Sequence, residues 1–544
     1  MKYTFIKNTF LTVAAAGMLA SCGSGFTIVS PPIENIDSTP IKTTELSEEE
    51  AKNWKDLDML TDTIPGMSVN KAYNEILKGR MGETVVVAVI DSGIDIEHED
   101  LDGVIWTNED EIPGNGIDDD KNGYIDDIHG WNFMGNIVDE NLEYERILRD
   151  KAMLPADIVA KAQKEYDGEL AQATQAKQRY EELLQQIVSA DKVITAHLGK
   201  SDYTAEEVAA IKSEDEAVLK AQSDLNFFFV RGLPSTKEAK ETITGLITNA
   251  ANLLNGDKLK TNYREDAMPG NSPYSYTVGD VWGDNQYSGP DPEKADSFHG
   301  THVAGIIAAE RDNGLGVNGV ANNAKIMVLR AVSMGDEYDK DIAAAIRYAA
   351  DNGAKVINGS FGKYHSSNPE FVWDALKYAA SKDVLFVNAA GNEGIDTDFI
   401  QVYPQDQVLA GAEISDNFLT VGALTSSYGA DLPASFSNYG KATVDVFGPG
   451  AQIYSTAPLN EYRNASGTSM ASPAVAGVAA VIRSQFPKLK AGQVKQIIMD
   501  SGLTTQARVN LGRGENAVTK PFQEITTSGK MANLYNALIM ASKM

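Results

Sequence analysis

The sequence predicts an α/β fold: a doubly wound parallel sheet that carries an inserted helical subdomain. Three observations predict it. Residues 84–90 (TVVVAVI) form a continuous apolar, β-branched run, as a parallel strand covered on both faces requires. From residue 324 onward such runs alternate with helical patterns: strand 324–329, helix 341–352 closed by Gly353, strand 355–358, helix 370–382, and strands at 384–387 and 418–422. That βαβ rhythm belongs to a parallel sheet wrapped by helices. Between these parts the composition turns to Ala, Gln, Glu and Lys, and Tyr180, Leu183, Ile187, Ala190 and Ile194 recur at alternating spacings of three and four. This is a helical seam.

With 544 residues the chain suffices for one large domain with insertions or for two or three smaller ones. A net charge of −29 with no compensating basic cluster excludes nucleic acid as a partner, because phosphate is repelled. Excess carboxylate is instead suited to bound cations. Lys2 and Lys7 precede an apolar stretch, 10–19, too short to be a permanent membrane span. It ends in Leu19-Ala20-Ser21-Cys22, which resembles a bacterial lipoprotein box. Residues 1–21 then form a removed signal peptide and Cys22 the lipidated first residue, making the protein an exported, membrane-anchored lipoprotein of the bacterial envelope. Simple cleavage leaving a free thiol is the alternative. Cys22 is the only cysteine, so no intramolecular disulfide forms. Residues 22–63 are acidic and punctuated by Pro31, Pro32 and Pro40, as a tether is. The main domain begins at 64–134, with a helical piece at 69–77. It is interrupted at 135–290 by the helical insertion and its return loop, and resumes at 291–544. The insertion reads as a hairpin packed on its own apolar face, or as a cap limiting access to a site.

Chemistry-bearing residues collect where strands end and helices begin. Asp91-Ser92-Gly93 terminates the first strand, where working residues gather in open α/β sheets. His299-Gly300-Thr301-His302 opens a small-residue helix, placing His299 at its mouth and His302 within the fold. A zinc pair is disfavoured because no third His or Cys accompanies them. Asn358-Gly359-Ser360-Phe361-Gly362 and Asn388-Ala389-Ala390-Gly391-Asn392 follow two further strands, their small residues permitting close backbone approach. In Gly467-Thr468-Ser469-Met470-Ala471-Ser472-Pro473, Pro473 suits a first helical turn. Ser469 therefore sits at or just before a helix N-terminus, either as an ordinary cap or as a nucleophile whose oxyanion meets free N–H groups.

The loop 118–127 places Asp118, Asp120, Asn122, Gly123 and Asp126 at positions 1, 3, 5, 6 and 9 of an EF-type loop, with Tyr124 between them. His129 stands where the bidentate Glu belongs, and Asp127 is available to close the sphere. The site is expected to hold a structural Ca²⁺; the alternative is a solvated acidic turn.

The segments Val89-Ile90-Asp91-Ser92-Gly93-Ile94-Asp95, His299 to Gly305, Ala389 to Gly394 and Gly467 to Pro473 together resemble the signature blocks of the subtilisin-like (S8) serine peptidases. The resemblance covers roughly 82–132 and 291–502. It implies a subtilisin-like sheet and acyl transfer on protein or peptide substrates. Ser469 is the implied nucleophile, His299 the base, Asp91 its orienting carboxylate, and Asn392 with the Ser469 N–H the oxyanion donors. It further implies that Ser360, Phe361 and Gly362, with Ala390 and Gly391, bind the substrate backbone. Asp100 and the loop carrying Asp312 are implied to form a second calcium site. The insertion departs from the family core, and residues 395–413 do not align cleanly. A silent binding scaffold and an exported esterase or small-peptide hydrolase are the rival functions.

Overall fold

A computed structural model describes residues 28–80, 82–233, 235–514 and 517–544. After helix α1 (Glu48–Asn53) and the short α2 (Val69–Ala72), strand β1 (Val85–Asp91) enters the middle of a sheet, and β2 (Gly130–Asn132) takes one edge. The chain then leaves for helices α3 (Glu143–Arg149), α4 (Ala156–Leu198), α5 (Ala205–Ala209), α6 (Glu216–Phe229), α7 (Thr236–Leu254) and α8 (Tyr263–Ala267). It returns through α9 (Phe298–Ala308), β3 (Ala324–Arg330), α10 (Asp339–Asp351), β4 (Val356–Gly359) and α11 (Pro369–Ser381). Strands β5 (Leu385–Ala389), β6 (Phe418–Leu424) and β7 (Val446–Pro449) extend the sheet. A hairpin of β8 (Ile453–Ala457) and β9 (Glu461–Ala465) precedes α12 (Thr468–Gln485) and α13 (Ala491–Ser501).

Seven strands pair in parallel in the order β2-β3-β1-β4-β5-β6-β7. Successive side chains point to opposite faces. Val85, Val87 and Val89 join the core beneath α9 and α12, whereas Ala88 and Ile90 join the one beneath α10 and α11. Both faces are buried, which is why β1 reads as an unbroken apolar run. From β1 the chain runs to the edge strand β2, fills β3 between them after the insertion, and then adds β4 to β7 in order on the other side. The connections diverge beside β1 and open a crevice at the carboxyl ends. Asp91 ends β1, Ser360 follows β4 and Asn392 lies just past β5.

The insertion has a core of its own. In α4, about 65 Å long at 1.5 Å per residue, Ile187, Ala190 and Ile194 bury against Ala221, Leu225 and Phe228 of α6 and Ala239 and Ile243 of α7. Its first half packs Ala162 and Tyr166 on Tyr144, Ile147 and Leu148 of α3. Residues 204–229 break into two helices, α5 and α6. Asp215 accepts the Ala217 N–H and starts α6, while the Gln222 amide closes α5 by donating to the carbonyls of Val208, Ala209 and Ile211.

The expected tether is corrected over its described part. Ile28, Ile33, Ile36, Trp54 and Met59 are buried in the main core. Ile33 exchanges backbone hydrogen bonds with the Asn536 amide at 2.8 and 3.0 Å, and the Trp54 indole donates to the Ala451 carbonyl at 3.1 Å. A few apolar anchors suffice to strap a polar segment down, and average composition conceals them. The signal segment and Cys22 lie outside the described residues.

Candidate functional site

Asp91 and His299 meet where α9 crosses the end of β1. The crossing is close because Gly300 has no Cβ: one built there would lie 2.1 Å from the Gly93 carbonyl oxygen and 3.1 Å from Asp91 Cβ. His299 Nδ1 consequently donates to Asp91 Oδ1 at 2.7 Å, and the Ser92 N–H donates to the same oxygen at 2.8 Å. Asp91 is 2% exposed and its Oδ2 has no hydrogen-bond partner among the described residues, whereas the His299 side chain is 37% exposed. Burial lowers the imidazole pKa, but the Asp91 charge and hydrogen bond outweigh it and hold the ring above its ordinary 6.5. His302 stays within the fold. Its Nε2–H donates to the carbonyls of Ile453 and Arg463 at 3.1 and 3.0 Å, and burial chiefly drives its pKa down to about 4.

Helix α12 begins at Thr468, with Gly467 as cap, so Ser469 lies inside the first turn and Pro473 in the second. The expected placement of Pro473 is thereby corrected. A proline in the second turn leaves the carbonyl four residues earlier without its helical donor. That carbonyl belongs to Ser469, and it accepts the Ser360 hydroxyl at 2.9 Å instead. The Ser469 hydroxyl in turn donates to the Ser360 carbonyl at 3.2 Å. The two serines are thus cross-linked, and no hydrogen bond joins Ser469 Oγ to the His299 ring among the described residues. Catalytic hydrogen bonds are often absent or poorly aligned before substrate arrives.

Asn392 is oriented by a residue the sequence did not single out. The Thr468 N–H and hydroxyl both donate to Asn392 Oδ1, at 2.8 and 3.1 Å, while Thr468 Oγ1 accepts the Gly391 N–H at 3.0 Å. Since a backbone N–H can only donate, the Asn392 oxygen must face Thr468, and its amide nitrogen is left to donate elsewhere. A Cβ built on Gly467 would sit 3.6 Å from the Ser469 backbone nitrogen and 3.7 Å from Asn392 Nδ2. The two donor nitrogens thus both border Gly467, with the Asn392 oxygen beside them at 3.6 Å from the same Cβ.

Beside them is a cavity of about 220 Å³ lined by Ser360, Phe361, Gly362, Tyr364, Gly391, Glu393 and Val402. Gly391 holds φ at +101°, and a Cβ there would meet the Asn438 amide at 2.3 Å, so only glycine fits this wall. Ala390 is buried behind it, its N–H donating to Val421. Lys363 and Tyr403 exchange both backbone hydrogen bonds at 2.8 Å, whereas the peptide groups of Phe361 and Gly362 have no hydrogen-bond partner among the described residues. Residues 361–362 are thus a short unpaired edge, the form that accepts an added strand.

The acidic loop folds differently from its sequence reading. Asp126, expected as a ligand, turns away and accepts the N–H groups of Asn115 and Gly116 at 3.2 and 2.9 Å, because its backbone is left-handed at φ +54°. Asp118 accepts the N–H groups of Asn122 and Gly123, and Tyr124 packs its ring against Trp131, Phe133 and Tyr348. The carboxylates that converge, within 4.8 Å, are those of Asp120, Asp127 and Glu111. Glu111 was missed because it lies outside the loop motif. Asn122 joins them through its amide, which donates to Asp120 and Asp127 at 3.0 and 2.9 Å. Burial, with Asp120 close by, raises the Asp127 pKa despite the Tyr348 hydroxyl on it. At the second predicted site, Asp100 is buried and accepts from the Asn313 amide at 2.7 Å and the Val317 N–H at 3.0 Å. Asp312 is exposed.

The subtilase family model matches residues 82–522. Among curated proteins the chain is 46% identical over 204 residues to a thermophilic serine proteinase of Bacillus sp. (strain AK1), covering 37% of this chain and 45% of that protein. It is 38% identical over 222 residues to subtilisin DY of Bacillus licheniformis, covering 40% and 74%. Thermitase of Thermoactinomyces vulgaris is 39% identical over 188 residues, covering 34% and 61%. The chain thus spans about half the length of the first of these. A solved structure of sphericase is 30% identical with a TM-score of 0.37, over 43% of this chain and 77% of that one. The matched span takes in the strand ends, the helix mouths and the insertion alike, and the chain belongs to the subtilase family.

Proposed function

We propose that the protein is an exported, lipid-anchored serine endopeptidase that hydrolyses peptide bonds through an acyl-enzyme. One observation carries the reading: the Asp91–His299 pair and the two donors around Ser469 lie along one rim of the sheet. Ser469 Oγ attacks the scissile carbonyl carbon as its proton passes to His299 Nε2, and the carbonyl oxygen becomes an oxyanion. The Asn392 amide and the Ser469 N–H stabilise that charge. His299 then hands its proton to the leaving amine as the C–N bond breaks. Water adds to the acyl-enzyme with His299 again taking the proton, and Ser469 is released. Asp91 fixes which ring nitrogen carries hydrogen and stabilises the imidazolium. The open peptide groups of Phe361 and Gly362 pair with the substrate backbone.

A calcium ion suits the donor set Glu111, Asp120 and Asp127. All are hard oxygens, and no Lys or Arg pairs with them among the described residues. When bound it supplies charge neutralisation that fixes the loop. The lipoprotein box at 19–22 supports anchoring through Cys22; no helix of the described residues is long and apolar enough to cross a membrane. Loss of palmitate labelling on Cys22→Ala tests the anchor.

The test of the activity is labelling by a fluorophosphonate probe together with cleavage of casein and of short ester substrates. Labelling and casein cleavage lost on Ser469→Ala support the reading. No labelling of the unaltered chain indicates a silent scaffold, and ester turnover without casein cleavage indicates a hydrolase of small substrates.

A further inference from the structure

The substrate edge is anchored at its far end by the insertion. Lys363, buried immediately after Gly362, sends its ammonium to Glu143 Oε2 of α3 at 3.3 Å, to Asp339 Oδ1 at 3.0 Å and to the Glu337 carbonyl at 2.7 Å. The other oxygen of Glu143 accepts the Ser367 N–H at 3.1 Å and also the Ser367 hydroxyl. A single carboxylate from the insertion thus ties both ends of the turn 363–367. Arg146, one helical turn on, completes it by pairing with Glu143 and donating to the carbonyls of Asn141, Asp336 and Glu337. Attraction to Arg146 and Lys363 overcomes burial and holds the Glu143 pKa down at about 2, so it is charged at neutral pH. A second link lies further along. His365 Nε2 meets Glu165 Oε2 of α4 at 2.5 Å, and the Tyr144 ring packs edge-on to the same imidazole.

We propose that the helical insertion sets the position of the substrate-binding edge, with Glu143 as a positioning residue acting through Lys363 and Ser367, and Glu165 as a weaker support acting through His365. This rests on the peptidase reading, in which Phe361 and Gly362 hold the substrate backbone. Hydrogen bonds fasten the edge at two places among the described residues. Ser360 is locked to Ser469 at the catalytic end, and Lys363 to Tyr403 and Glu143 at the other. Between them the peptide groups of Phe361 and Gly362 have no hydrogen-bond partner among the described residues, and the Phe361 side chain is held in the core, so freeing the distal end lets the Gly362 side of the edge shift and blurs the register of an incoming strand. The effect should grow with the number of substrate residues bound on the acyl side of the cut, and should appear in binding more than in chemistry.

Glu143→Gln in the full chain tests this, with kcat and KM measured on a tetrapeptide amide and on an ester that offers only the residue next to the cut. The expected result is a rise in KM of at least tenfold for the tetrapeptide with kcat within about threefold, and a clearly smaller change for the ester. Glu165→Gln, half-exposed, is expected to raise the tetrapeptide KM two- to fivefold. Should Glu143→Gln lack a cooperative melt, Glu165→Gln decides alone. Equal losses on both substrates, losses confined to kcat, or unchanged tetrapeptide KM overturn the proposal. An unaltered chain that neither cleaves the tetrapeptide nor reacts with the fluorophosphonate refutes the peptidase reading itself.

Discussion

Gly300→Ala is the sharpest perturbation the structure offers. The added methyl would lie 2.1 Å from the Gly93 carbonyl oxygen, and restoring an ordinary 3.4 Å contact requires α9 and the Asp91 turn to separate by roughly 1.3 Å. Neither partner yields cheaply, since one is backbone and the other a helix of small buried residues. Carried along the His299–Asp91 vector, the shift stretches a 2.7 Å hydrogen bond to about 4 Å, beyond hydrogen-bonding range. Misplacing a catalytic group by about 1 Å costs on the order of 10²-fold. Losing the carboxylate's control of the imidazole costs up to about 10⁴-fold. Gly300→Ala is therefore expected to lower kcat by about 10²–10⁴ on a chromogenic peptide. The acid limb of the pH profile should also move to lower pH, because the Asp91 hydrogen bond that helps lift the His299 pKa against burial is lost and the Asp91 charge is farther off. A variant that keeps kcat within threefold and leaves that limb in place refutes the reasoning.

Thr468→Val keeps the backbone hydrogen bond to Asn392 but removes the hydroxyl that donates to it and accepts from Gly391; kcat should fall about 10- to 100-fold, less than the 10²–10³ expected for deleting the amide itself, with KM little changed. His302 has its folded pKa depressed to about 4 from 6.5. Its stabilisation is thus fully present above pH 6.5 and is lost as pH falls through about 4. Urea midpoints between pH 7 and pH 4 should show that decline, and His302→Gln should flatten it. Calcium should raise the melting temperature, by an amount equivalent to about 2.7 kcal/mol at a hundredfold excess over Kd, and EDTA should reverse it. Asp127→Asn should abolish the rise; a melting curve indifferent to EDTA refutes the loop site.

Much of the molecule was legible in the chain order of residues. Strand β1, the alternation of β3 to β6 with α10 and α11, and the seam of α4 depend on periodic burial, and periodicity is a local property. Asp91, His299, Asn392 and Ser469 were legible because each sits where an element begins or ends, within a compact motif. Some features resisted local reading. Pro473 was assigned to a first turn because nothing in the chain announces that the carbonyl it orphans will meet the Ser360 hydroxyl. Asp126 was counted as a ligand because the motif fixes spacing but not the left-handed backbone that turns it away. The segment 28–63 read as a tether because five buried apolar side chains scarcely alter its composition.

The sequence by itself determined the fold class, the four-block resemblance and the residue types of the site, all of which follow from local periodicity and motif. Only the tertiary structure decided which groups meet. Thr468 orients Asn392, Glu111 replaces Asp126 among the converging carboxylates, and Glu143 reaches Lys363 from 220 positions away. Hydrogen bonds and ion pairs act over about 3 Å of space and are indifferent to separation along the chain, so they become visible only after the sheet has drawn distant segments to one rim.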